Sequence, residues 1–213
     1  MSKNQQTKPL NCSCMIEECQ GCYSNWIEIN RAAAKDYDCG GEIDYLIIAE
    51  SPPCPHGEDI ASYVYRIRGN GEILKHKGLL YAIMLSMEKA GLLKNIPEKK
   101  KDCLEQLSRN RIFVMDTCEY PVNQMPDFIR EKAVSMNIDN LSMRLQKLSV
   151  INNIITTMER SKNDIRSAVK IAGLYGKIRD SLPFPRGRSN QEEFIKRLSD
   201  VFKNFPSKNN SGI

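Results

Sequence analysis

No stretch of this 213-residue chain approaches the roughly 18 consecutive apolar residues that a membrane helix needs. The opening segment MSKNQQTKPLNC also lacks the apolar core of a signal peptide. The two absences set the expectation of a cytoplasmic protein with no membrane partner. Strong charge imbalance is missing too. The net charge of +5 leans only mildly towards polyanions and the acidic residues are well mixed in, so charge alone does not establish nucleic-acid binding. Histidine is scarce: His56 and His76 are the only two, both in one long loop. Either is suited to proton transfer or to a phosphate contact, with an exposed structural histidine as the plain alternative.

What is present is an ordinary globular composition, 41% hydrophobic and 27% charged, in a length that suits one well-packed domain. Eight cysteines would suggest disulfides in a small secreted chain, but this one is mid-sized and shows no export signal. Cys12, Cys14, Cys19 and Cys22 fall within eleven residues, close enough for one ion to collect all four. Tetrahedral thiolate coordination suits a structural zinc; an iron-sulfur cluster is the alternative cofactor, and free thiols the plain one. Cys39, Cys54, Cys103 and Cys118 are scattered and read as small core residues, although Cys39 could replace one of the four.

Hydrophobic periodicity divides the chain into a cysteine-rich segment with a helix (1–40), an α/β domain (41–204) and a disordered tail (205–213). Trp26, Ile29 and Ala33 mark the first helix, within Tyr23 to Lys35. LIIAESPP (46–53) reads as a buried strand opening into a proline-stiffened loop. A long ordered loop runs from Pro52 to Gly78, and loops of that length inside compact domains are usually functional. Helices follow at Leu79 to Leu93 and Glu98 to Arg109, then a strand IFVMD at Ile112 to Asp116. Two helical stretches occupy Pro126 to Lys147, and the β-branched run VINNIITT favours a third strand over a helix. A helix at Asn163 to Ala172 and a fourth strand at Tyr175 to Leu182 come next. The final helix, Ser189 to Asn204, is expected to open with Ser189 and Glu192 as a capping box and to bury Phe194, Ile195, Leu198 and Phe202. Alternating strands and helices imply a parallel sheet of about four strands with helices on both faces.

Three loops at strand ends carry the unusual residues: AESPP, DTCEYPVN and LPFPRGRSN. In order and spacing they resemble the uracil-DNA glycosylase superfamily, over roughly Tyr45 to Phe202. Glu50 and Pro52 match the water-positioning loop of its iron-sulfur branch. Asp116 falls where those enzymes carry a base-reading asparagine. Pro183, Phe184 and Pro185 fall in the loop that inserts into DNA, with Leu182 at the usual histidine position. The longer pattern ESPP, D-x-x-x-x-P-V-N and LPFP is similar to an atypical prokaryotic branch. The resemblance implies a three-layer α/β sandwich around a four-stranded parallel sheet, and a monomeric DNA glycosylase acting on duplex DNA with a flipped base.

That chemistry assigns roles to the residues. Base removal requires extrusion of the nucleotide, a pocket, and stabilisation of an oxocarbenium-like sugar during water attack. Glu50 could orient the water and oppose the developing positive charge, or else cap a neighbouring turn. Ser51 can position water but needs a base to lose its proton. An ionised Asp116 can only accept hydrogen bonds, which favours a base with an amino group, such as a modified cytosine. Asn123 could supply an amide instead, or make a turn. Tyr63 and Tyr65 are candidates to stack on the base, or pack ordinarily. Leu182 or Phe184 offers an apolar wedge, and Arg186 and Arg188 grip the DNA backbone. Two other classes remain: a non-catalytic nucleic-acid-binding protein with the same fold, and a hydrolase of free nucleosides. A uracil-specific repair enzyme and an enzyme of antiviral defence are both compatible with the pattern.

Overall fold

The computed structural model describes residues 41–53, 63–65, 67, 71–122, 125–148, 150–157 and 162–206. The cysteine segment, the helix expected at Tyr23 to Lys35, Cys39, Cys54, His56, Asn123 and residues 207–213 lie outside the described residues.

Four strands, β1 (Glu42–Ala49), β2 (Ile112–Asp116), β3 (Val150–Thr156) and β4 (Ile178–Ser181), form one sheet in the order β2-β1-β3-β4, every pair parallel. Every residue of β1 from Ile43 to Ala49 is buried, as the centre of a sheet covered on both faces requires. Six helices surround it among the described residues: α1 (Gly78–Ala90), α2 (Lys100–Arg109), α3 (Asp127–Met136), α4 (Ile138–Lys147), α5 (Lys162–Ile171) and α6 (Arg188–Asn204). α1 packs on α6, α4 packs on α5, and α3 touches both α4 and α5. The arrangement is compatible with a three-layer sandwich. None of these helices is long and apolar enough to cross a membrane.

Local chemistry explains where the elements stop. Gly91 ends α1 in the left-handed region at φ 81°, and the Leu92 and Gly91 amides close back on the Met87 and Glu88 carbonyls. The fourth strand is shorter than its apolar pattern suggests, because Tyr175–Lys177 turns as a 3₁₀ segment before β4 begins. The expected capping box does not form. α6 starts at Arg188 after Gly187, whose φ of 79° only glycine adopts without strain, and Glu192 pairs with Arg188 at 2.9 Å instead. Phe194, Leu198 and Phe202 are buried as expected, each worth roughly 1.5–3 kcal/mol of apolar transfer. Phe205, expected to begin the tail, is held: its carbonyl accepts from the Tyr45 hydroxyl, and the Arg179 guanidinium lies 4.6 Å from its ring centre.

Candidate functional site

The register sets Ala49 of β1 beside Asp116 of β2, so both strands finish at the same edge of the sheet. The ladder continues beyond them, with the Thr117 amide donating to the Ala49 carbonyl and the Cys118 amide to the Glu50 carbonyl, both at 2.8 Å. This extra pairing fixes the backbone of the AESPP loop. In a sheet of this order the chain leaves β1 towards one side and β3 towards the other, which opens a crevice at the carboxyl ends.

A cleft of about 850 Å³ lies there. Its floor includes Glu50, Ser51, Tyr63 and Asp116, and its rim includes Phe184, Arg186 and Arg188. Four segments far apart in sequence thus meet around one cavity. The starts of α1 and α6 also border it, neither with a side-chain cap from a described residue, so the positive ends of two helix dipoles lie beside an opening lined by Lys77, Arg186 and Arg188.

Glu50 is buried and paired with Arg130, whose Nη2 donates to Oε2 at 2.5 Å. Arg130 comes from α3, lines the same cleft, and also reaches Asp127 at 3.4 Å. Ser51 Oγ accepts from the Val122 amide at 3.2 Å, which ties the first loop to the second. Tyr63 donates from its hydroxyl to Asp116 Oδ2 at 3.2 Å, and its own carbonyl accepts from the buried Lys100 ammonium. Burial pushes the Asp116 carboxyl up to about 7; the Tyr63 hydrogen bond and Arg144 oppose the rise and Glu50 adds to it. Near neutral pH Asp116 is therefore not a purely accepting carboxylate, and its residue type no longer singles out a base with an amino group.

The structure separates the remaining candidates. Tyr65 does not line the cleft: its hydroxyl accepts from the Val114 amide at 2.7 Å, a scaffold contact. Leu182 is fully buried in the core, its amide donating to the Thr156 carbonyl at 2.7 Å, so it cannot be the wedge; Phe184 is the exposed apolar side chain of that loop. His76 stacks on Tyr81 at 5.0 Å, away from the lining of the cleft. Cys103 and Cys118 are buried free thiols, pushed up by burial to about 11 and about 12, which suits packing and not nucleophilic attack. Among the described residues no group of His, Cys, Asp and Glu could hold a metal ion, and Cys12, Cys14, Cys19 and Cys22 lie outside them.

Sequence reasoning missed Arg130, Lys77 and Asn190, all of which line the cleft. Arg130 sits on an unremarkable amphipathic helix, and only the fold brings it to Glu50. No protein-family model matches the sequence, and no curated protein matches it.

Proposed function

We propose that this protein is a DNA glycosylase with the three-layer fold of the uracil-DNA glycosylase superfamily, hydrolysing the glycosidic bond of a damaged or modified base. The observation that carries the reading is the meeting of Glu50, Asp116 and Tyr63 on the floor of one cleft whose rim holds Phe184, Arg186 and Arg188. The floor supplies what a flipped base and its sugar need: a buried carboxylate to hold water and face an oxocarbenium-like centre, and a second carboxyl group for the base edge. The rim supplies an exposed aromatic wedge and cations for the phosphates on either side. With Arg130 holding Oε2 of Glu50, Oε1 has no hydrogen bond from a described residue and is the oxygen that would take the water.

The Glu50–Arg130 pair also favours a second reading. A carboxylate balanced by a guanidinium 2.5 Å away opposes a developing cation less strongly than a lone one, as would suit a protein that binds DNA without cleaving it. Incubation with duplexes carrying uracil, hypoxanthine or substituted cytosines, scored for alkali-sensitive abasic sites, separates the two. The glycosylase reading expects release of one of these bases and its loss in Glu50→Gln. Tight duplex binding with no abasic sites on any substrate would favour the binding protein.

A further inference from the structure

We propose that Arg130 is a positioning residue for base release: it holds the Glu50 carboxylate by Oε2, leaves Oε1 for the water, and serves orientation more than charge. The inference rests on the glycosylase reading of Glu50, and adds which way the ion pair works within it.

The backbone around Glu50 is fixed by its neighbours, whereas its side chain depends on Arg130. The Cys118 amide donates to the Glu50 carbonyl at 2.8 Å, and the Val122 amide to Ser51 Oγ at 3.2 Å. Beyond the backbone, the bond from Arg130 Nη2 to Oε2 at 2.5 Å is the one hydrogen bond that the carboxylate receives from a described residue. Arg130 arrives on a support of its own. The Ile129 and Arg130 amides donate to the Pro126 carbonyl at 2.9 and 3.1 Å, which starts α3. Ala133 and Val134, both fully buried, then seat the helix on Cys118, Val122 and Met125, a hydrophobic cluster separate from the main core. Cys118 and Val122 are also the residues whose amides hold Glu50 and Ser51, so one small core sets both ends of the ion pair.

The make-up of the pair argues for orientation. A guanidinium offers its N–H groups in a rigid plane, and Nη1 of the same fork reaches Asp127 at 3.4 Å. Arg130 Nε is buried with no partner among the described residues, a cost that a methionine in its place would avoid. Charge alone gives no return for that cost, because the guanidinium competes with the cation that forms at the sugar for one carboxylate. Geometry does give one. A carboxylate held by one oxygen meets the substrate already aimed, and a misplacement of about 1 Å at such a centre costs on the order of a hundredfold in rate. The two roles predict opposite signs: removing Arg130 slows base release if it orients Glu50 and speeds it if it only tempers the charge.

The test measures kcat and KM separately for base release from duplexes carrying uracil, hypoxanthine or a substituted cytosine, in the native chain, Arg130→Met, Arg130→Lys and Arg130→Ala. Circular dichroism at the assay temperature checks that each variant is folded. The expected result is a fall in kcat of about a hundredfold in Arg130→Met and about tenfold in Arg130→Lys, which keeps the charge and loses the planar fork, with KM unchanged. Methylguanidinium, and not methylammonium, should restore release in Arg130→Ala. If Arg130→Met does not fold, the lysine variant and the rescue decide. A methionine variant as fast as the native protein or faster, a lysine variant equal to it, a change confined to KM, or no rescue overturns the inference and leaves the glycosylase reading standing. No release by the native chain from any duplex removes that reading and the inference with it.

Discussion

Arg130 reaches Glu50 across 80 positions of sequence, placing Nη2 2.5 Å from Oε2 at the end of the central strand. The carboxylate side chain is 9% exposed and the guanidinium 23%, so the pair is sheltered from solvent without being sealed from it. Arg130 Nε is buried and has no hydrogen-bond partner among the described residues, so the contacts of the guanidinium run through Nη2 to Glu50 and Nη1 to Asp127. The pair orients Glu50 and tempers its charge, and both effects are measurable.

Arg130→Met keeps most of the side-chain volume and leaves Glu50 buried without its partner. Breaking a fully buried pair costs roughly 3–5 kcal/mol; the partial exposure of Arg130 reduces the expectation to about 2 kcal/mol. Urea unfolding of Arg130→Met, Glu50→Gln and the double variant should return a favourable coupling energy between the two positions. Additive losses would show that they act independently.

Asp116 makes stability depend on pH. Its folded-state carboxyl, near 7 against an ordinary value of 3.8, holds its proton longer than in the unfolded chain. Stability should therefore fall as pH rises from about 4 to about 7, with the full cost present above 7. The difference corresponds to roughly 4 kcal/mol as an upper bound. Asp116→Asn should remove this slope and be more stable than the native protein at pH 8, by about 1–3 kcal/mol in urea unfolding. Parallel pH dependence in the two proteins would contradict it.

The two tyrosines should behave differently when their hydroxyls are removed. Tyr65→Phe leaves the Val114 amide of β2 buried without its acceptor, at a cost of about 1–3 kcal/mol. Tyr63→Phe should cost about 1 kcal/mol, and should move the Asp116 titration upward, because the lost hydrogen bond favours the carboxylate. A downward movement of the Asp116 carbon titration would contradict that assignment.

Arg186 and Arg188 are both exposed, and the Arg188 side chain is 93% accessible. Arg186→Ala and Arg188→Ala should leave thermal stability essentially unchanged. Each should lower the slope of log affinity against log salt for duplex DNA by about one. An unaltered slope would take the loop out of the DNA contact.

Much of the fold was legible locally. IFVMD became β2 with the expected boundaries, VINNIITT became a strand, and the apolar spacing of Phe194, Leu198 and Phe202 marked the buried stripe of α6. Such patterns survive in sequence because strand and helix periods repeat within a few residues. The start of α6 was misread because Ser189 and Glu192 satisfy the capping pattern one residue inside the helix, whereas the backbone freedom of Gly187 sets the actual entry.

Part of the site was equally legible: a carboxylate or a proline directly after a buried apolar run marks a strand end, and AESPP, the DTCEYPVN loop and LPFPRGRSN do line or flank the cleft. By itself the sequence determined the elements, their alternation and the residue types available at their ends, since these depend on neighbours along the chain. Tertiary structure alone decided that Arg130 would meet Glu50, that Leu182 would be core and Phe184 surface, and that Asp116 would line the cleft beside Tyr63 with its carboxyl pushed up to about 7. Those outcomes depend on burial and on charges brought together from distant segments, and desolvation is a property of the enclosure a folded chain builds, which no residue type carries alone.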